Sequence, residues 1–149
     1  MQNRLPSLHT ISLDLCPTIL SGDIGIIGDP VDNAYTVVHS KHVGGGGLRN
    51  LWIQDGRADG SGSIGARGGG WYCEATSSSS LFTIVTGCRF IDNYAIIGGA
   101  IYLEEDGGVF DISIANTIFQ NNQSSSHGGA IYFSGDGGTD RNRIWNSLF

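Results

Sequence analysis

Short apolar stretches alternate with polar or glycine-rich ones along most of the chain. YTVVHS (Tyr35–Ser40), LFTIVTG (Leu81–Gly87), FDISIAN (Phe110–Asn116) and GAIYF (Gly129–Phe133) are rich in β-branched and aromatic residues and bounded by Gly, Asp, Asn or Ser. That is the pattern of strands. Apolar residues do not recur at i, i+3, i+4 and i+7 among good helix formers, so the pattern predicts strands and not helices.

The stretches also repeat in register. GGAIY starts at Gly98 and again at Gly128, 128 − 98 = 30 residues later, and GGGWY occupies the same phase from Gly68. A second marker runs beside it as CRFIDN (Cys88–Asn93), TIFQNN (Thr117–Asn122) and NSLF (Asn146–Phe149), with Phe90 and Phe119 29 apart and Phe119 and Phe149 30 apart. Strands recurring at this period can stack on themselves in parallel. The expectation is an all-β solenoid, a parallel β-helix of about 30 residues per coil with coils ~4.8 Å apart.

Alternation along a strand assigns the faces. The columns Trp71/Ile101/Ile131 and Cys73/Leu103/Phe133 are apolar and should face the interior, which turns Tyr72, Tyr102 and Tyr132 outward. The paired glycines before them mark a sharp corner. Phe90, Phe119 and Phe149 should form an internal aromatic stack, and Asn93 and Asn122 an amide ladder along the axis.

Composition narrows the function. Charged residues make up 15% and the formal net charge is −6, a balance that disfavours nucleic acid and anionic membrane as partners. No run approaches the ~18 apolar residues of a membrane helix, so direct membrane insertion is not expected. The segment from Met1 to Leu20 is broken by Pro6, Asp14 and Pro17 and makes a poor signal peptide. Cys16, Cys73 and Cys88 lack zinc-site spacing; a Cys73–Cys88 bridge would suit an exported chain, and buried thiols are the commoner outcome.

FIDNYAIIGGAIY and FQNNQSSSHGGAIY resemble the F-x-x-N and G-G-A-I repeats of chlamydial-type polymorphic outer-membrane proteins, and the wider group of right-handed parallel β-helix repeat proteins on bacterial surfaces. ILSGDIGIIGDPVDNAYTVV is similar to the segment leading into such repeats, so the resemblance spans roughly residues 18–149. It implies a right-handed, single-stranded β-helix in a secreted or cell-surface protein. On this reading residues 1–50 are lead-in strands and turns and residues 51–149 are repeat coils, the last incomplete. The chain is expected to be a piece of a longer solenoid whose open end can associate end to end. LWIQDGRADGSGSIGARGGGWY departs from the repeat, and its loop from Arg57 to Arg67 is expected to protrude.

Two surface features carry candidate chemistry, and two further motifs are set aside. The outward Tyr72/Tyr102/Tyr132 column suits a sugar ring or a protein partner, although a column of like residues also stabilises itself by stacking. Asp106 and Asp136, 30 apart with Glu104, Glu105, Asp111 and Asp140 nearby, offer an oxygen cluster for Ca²⁺ or a carboxylate pair for glycoside hydrolysis; D-G-G is equally a plain turn. GSGSIG (Gly60–Gly65) leads into no helical pattern and is discounted as a dinucleotide loop. His39 and His42 fall on opposite strand faces, which disfavours a shared metal.

Two functional classes follow. One is a non-catalytic segment of a secreted or cell-surface bacterial protein, acting as stalk, adhesin or glycan-contacting surface and needing no cofactor. The other is a polysaccharide lyase or glycoside hydrolase of the pectin-lyase-like fold. SHGGA lacks the G-H-G arrangement of pectin hydrolases and RNRIW is not their R-I-K, so the surface-protein class is preferred.

Overall fold

A computed structural model describes residues 17–41, 46–75, 80–105, 109–135 and 139–149. The chain winds through about four turns of a parallel β-solenoid. The strands enter in chain order as β1 (Thr18–Ser21), β2 (Val38–Lys41), β3 (Gly46–Arg49), β4 (Leu51–Gln54) and β5 (Arg57–Ala58). After a five-residue helix, α1 (Gly62–Ala66), come β6 (Trp71–Ala75), β7 (Ser80–Thr86), β8 (Arg89–Ile91) and β9 (Tyr94–Ile97). The next coil holds β10 (Ile101–Glu105), β11 (Val109–Ala115), β12 (Ile118–Gln120) and β13 (Gln123–His127), and the last β14 (Ile131–Gly135), β15 (Thr139–Asp140) and β16 (Arg143–Trp145).

These strands stack into four sheets. The tyrosine sheet is β2-β6-β10-β14, the long sheet β3-β7-β11 with β15 and β16, the phenylalanine sheet β1-β4-β8-β12, and the short sheet β5-β9-β13. Every pairing is parallel, and like residues meet: Tyr72 with Tyr102, Tyr102 with Tyr132, Phe90 with Phe119. The mixture of 29 and 30 in the repeat has a location. Gln123 pairs with Tyr94 and Ser124 with Ala95, 29 apart, whereas His127 pairs with Ile97, 30 apart; a register irregularity between Ser124 and His127 takes up the extra residue.

Each coil turns its corners with left-handed residues, and the choice of residue follows from the space. Asn50, Gly87, Asn116 and Asn146 form one corner column, with φ of 53°, 65°, 50° and 47°, and Asp55, Asp92 and Asn121 a second, with φ of 61°, 53° and 55°. Asn and Asp tolerate this conformation among L-residues. The third corner is Gly68, Gly98 and Gly128. A Cβ on Gly98 would lie 2.5 Å from the Ile101 carbonyl oxygen, so only glycine fits there.

The interior is layered. Ile53, Phe90, Phe119, Trp71, Ile101, Leu103, Val85, Ile112 and Ile114 form its cluster. Full burial of an aliphatic side chain such as Ile101 contributes ~1.5–3 kcal/mol. Phe90 stacks on Phe119 with centroids 5.3 Å apart and Phe119 on Phe149 at 4.8 Å, both near parallel. Cys73 and Cys88 are free thiols buried in this core, not a bridge. Cys16, His42, Asp106 and Asp136 lie outside the described residues.

The first-coil loop does not protrude as a free excursion. Ala58 pairs with Ala95, 37 residues on, while Arg67 bridges Ile97, 30 residues on, so the segment carries an insertion of 37 − 30 = 7 residues. The Thr36 hydroxyl, at 3.2 Å from both the Ile64 and Arg67 carbonyls, donates to this segment, and Tyr35 packs against Gly60. The insertion folds back over the outer face of the tyrosine sheet. A glycine-rich composition looks loop-like in sequence, but its backbone groups find partners on the solenoid.

Candidate functional site

Strand alternation sends residues 39 and 41 of β2, 72 and 74 of β6, 102 and 104 of β10, and 132 and 134 of β14 to the outer face of the tyrosine sheet. Two parallel columns result, His39/Tyr72/Tyr102/Tyr132 and Lys41/Glu74/Glu104/Ser134. The tyrosines therefore lie off the core, as their phase predicts. They are not open, however: Tyr72 is 1% and Tyr102 3% exposed, and Tyr132 is half-buried.

Neighbours occupy the ring faces. His39 stacks on Tyr72 with centroids 5.1 Å apart and an interplanar angle of 12°. The Arg67 guanidinium sits 4.8 Å over the Tyr102 ring, and Tyr102 stacks on Tyr132 at 5.4 Å. A sugar cannot lie flat on Tyr72 or Tyr102 while Arg67 and His39 are in place. The rings of Tyr72 and Tyr102 thus form a buried aromatic layer behind a polar surface.

That surface is built on two carboxylates. Glu74 receives His39 Nε2 at 2.9 Å and Lys41 Nζ at 2.8 Å. Glu104 accepts from Arg67 Nη1 at 2.7 and 2.8 Å and from the Tyr72 hydroxyl. Burial pushes the Glu74 carboxyl up, but the hydrogen bonds from Lys41 and His39 outweigh it and leave the group below its usual range. Burial, then the hydrogen bond to Glu104, raises the Tyr72 phenol, so it remains a donor. For Arg67, burial alone would lower the pKa, but the hydrogen bond to Tyr72 and the charge of Glu104 raise it overall.

An open groove of about 600 Å³ runs along these residues. Lys41, Glu74, Glu104 and Ser134 follow one another along its floor, and Ser63 and Ile64 of α1 form a wall. Its volume is within the range of small-molecule sites. The strand period of two from the tyrosines points to Glu74 and Glu104 in the sequence. Lys41 and His39 are harder to find, because β2 lies 33 residues before β6 (Val38 to Trp71) and falls outside the 30-residue alignment. Arg67 stands in phase just after the insertion, but its column Arg67/Ile97/His127 holds unlike residues, so the period does not single it out.

The other candidates separate. Glu105 turns inward and is buried, and Asp111 lies on the long sheet, 3.6 Å from Arg143. Among the described residues, no group of three or more His, Cys, Asp or Glu comes together as a metal site. Asn93 and Asn122 form the expected ladder: Asn93 Nδ2 donates to Asn122 Oδ1 at 2.9 Å and Asn122 Nδ2 to the Phe90 carbonyl at 2.8 Å.

Residues 116–134 match the model of the Chlamydia polymorphic membrane protein repeat. This span holds the Asn116 corner, Phe119, Asn122, the glycine corner at Gly128 and the first four residues of β14, so the family's repeat coincides with most of one coil. No curated protein and no solved structure matches the chain. The match and the parallel solenoid together fit a repeat segment of a bacterial surface protein. The chain is a β-solenoid repeat protein similar to the repeats of the Chlamydia polymorphic membrane proteins.

Proposed function

We propose that this chain is a non-catalytic segment of a cell-surface protein that holds a lateral groove for contact with a glycan. The observation that carries the reading is the groove itself, which follows the solenoid axis over four strands with Lys41, Glu74, Glu104 and Ser134 on its floor. A stacked parallel sheet is a rigid support, so these groups keep their spacing without a ligand and little ordering is lost on binding. The Glu74 carboxylate argues against the hydrolase class. A general acid needs a carboxyl pKa raised toward the working pH, and the Glu74 carboxyl is held below its usual range.

A glycan array probed with the purified chain tests this. Binding should be seen and should be lost in Ser63→Trp, which fills the groove from an exposed position on α1 and leaves the solenoid untouched. Binding that is unchanged in Ser63→Trp, or release of reducing ends from a bound polysaccharide, would overturn the reading.

A further inference from the structure

The groove has a chemical preference, and this inference rests on the glycan reading. A carboxylate offers about four acceptor sites. On Glu74, His39 and Lys41 take one each, leaving about two; on Glu104, Arg67 takes two and the Tyr72 hydroxyl one, leaving about one. The unfilled sites belong to the groove floor, where the one ammonium, Lys41, is already paired with Glu74. A ligand must therefore bring donors. Ser63 and Ser134 add hydroxyls that can donate or accept.

The lining also says what is refused. A carboxylate, sulfate or phosphate on the ligand would meet a lining with three carboxyl groups, Glu74, Glu104 and Glu105, against one ammonium, in a chain of net charge −6. A peptide gains little here. β6 and β10 are each paired on both sides, so the middle of the floor offers no free backbone edge and those of β2 and β14 lie only at its two ends, and among the described residues Ile64 and Ala75 are the aliphatic side chains in the lining. A free ammonium competes with Lys41 and Arg67, which already balance the two carboxylates.

We infer that the groove recognises neutral, hydroxyl-rich glycans, whose hydroxyls donate to Glu74 and Glu104, and that it rejects anionic ones. Arg67 and His39 act as positioning residues that hold the carboxylates over the buried tyrosines. Charge-assisted O–H···O⁻ bonds are about twice as strong as neutral ones, so two fixed carboxylates suffice to discriminate.

Calorimetry with three probes decides it: neutral hexose oligosaccharides, oligogalacturonate and chitosan oligomers. Neutral oligomers should bind at least about ten-fold more tightly than oligogalacturonate, and Glu74→Gln should weaken the neutral ligand about ten-fold. Glu104→Gln serves as a second variant and should weaken the neutral ligand as well, while Arg143→Ala, on the long sheet and away from the groove, should leave it unchanged. Oligogalacturonate binding as tight as the neutral oligomers, binding of chitosan alone, or a Glu74→Gln chain that folds and binds unchanged would overturn the preference while leaving a glycan site. Failure of all three probes would remove the glycan reading with it.

Discussion

The Asn93 side chain, 1% exposed, reaches two neighbouring coils at once. Its Nδ2 donates to Asn122 Oδ1 at 2.9 Å and to the Ile53 carbonyl at 3.0 Å, and its Oδ1 accepts from the Gly56 N–H at 3.1 Å. Asn93 thus ties three coils where Asn122 ties two. Asn93→Ala would leave the Gly56 N–H and the Ile53 carbonyl without their side-chain partner inside the solenoid. Each buried group stranded in this way costs about 1–3 kcal/mol, so for the two groups the loss should be about 2–6 kcal/mol in urea unfolding. Asn122→Ala, at a half-buried position nearer the end, should lose less. Equal losses in the two variants would show that the ladder does not work through Asn93.

Much of this architecture is legible from residue types, because a solenoid repeats its own contacts. Phe90, Phe119 and Phe149 stack because equal spacing puts equal residues one above another. Likewise the phase of Ile101 and Leu103 fixes where Tyr102 points. The covering of the tyrosines is not legible by the same means. Arg67 reaches Tyr102 and Glu104 from the end of a seven-residue insertion, and although it is in phase with Ile97, that column holds unlike residues and leaves no repeated type to read. The groove was missed for a related reason. Glu74 and Glu104 stand two residues after the tyrosines, on the same face, but their weight depends on Lys41 and His39, whose register with β6 is 33 and not 30.

Glu74 gives stability a pH dependence of known sign. Its carboxyl titrates below its usual range in the folded chain because Lys41 and His39 hold the anion against the opposing effect of burial. Stability from this group is therefore full above the unfolded value of about 4.3 and is lost as pH falls through the folded value. Unfolding midpoints should separate the wild-type chain from Glu74→Gln at neutral pH. The gap should narrow below about pH 4.3. A gap that widens on acidification would reverse the assignment.

Burial raises the Cys73 thiol to about 11 and the Cys88 thiol above its usual value, and both lie inside the core cluster. Thiolate is the reactive form, so neither side chain should react with iodoacetamide in the native chain at neutral pH. Peptide mapping by mass spectrometry should find both unmodified before denaturation and alkylated after it. Rapid labelling of Cys73 in the native state would mean that the tyrosine sheet opens.

The insertion between Ala58 and Arg67 can be removed on paper by copying the next coil. There Ala95 and Ile97 occupy the positions of Ala58 and Arg67, with Ile96 alone between them. Replacing residues 59–66 by one isoleucine therefore removes seven residues while keeping both register pairs. The cost includes the Thr36 hydroxyl's contacts with the Ile64 and Arg67 carbonyls and the packing of Tyr35 on Gly60. Hydrogen bonds contribute ~0.5–1.5 kcal/mol each, so the shortened chain should lose about 1–3 kcal/mol and still give a β-rich circular dichroism spectrum. The groove loses Ser63 and Ile64, its wall, while Glu74 and Glu104 stay on the floor. Glycan affinity should fall, while Tyr72 and Tyr102, still covered by the retained His39 and Arg67, should stay shielded from a fluorescence quencher. A shortened chain that fails to form strands would show that the insertion is part of the fold and not an addition to it, since the coil below closes the same gap with one residue.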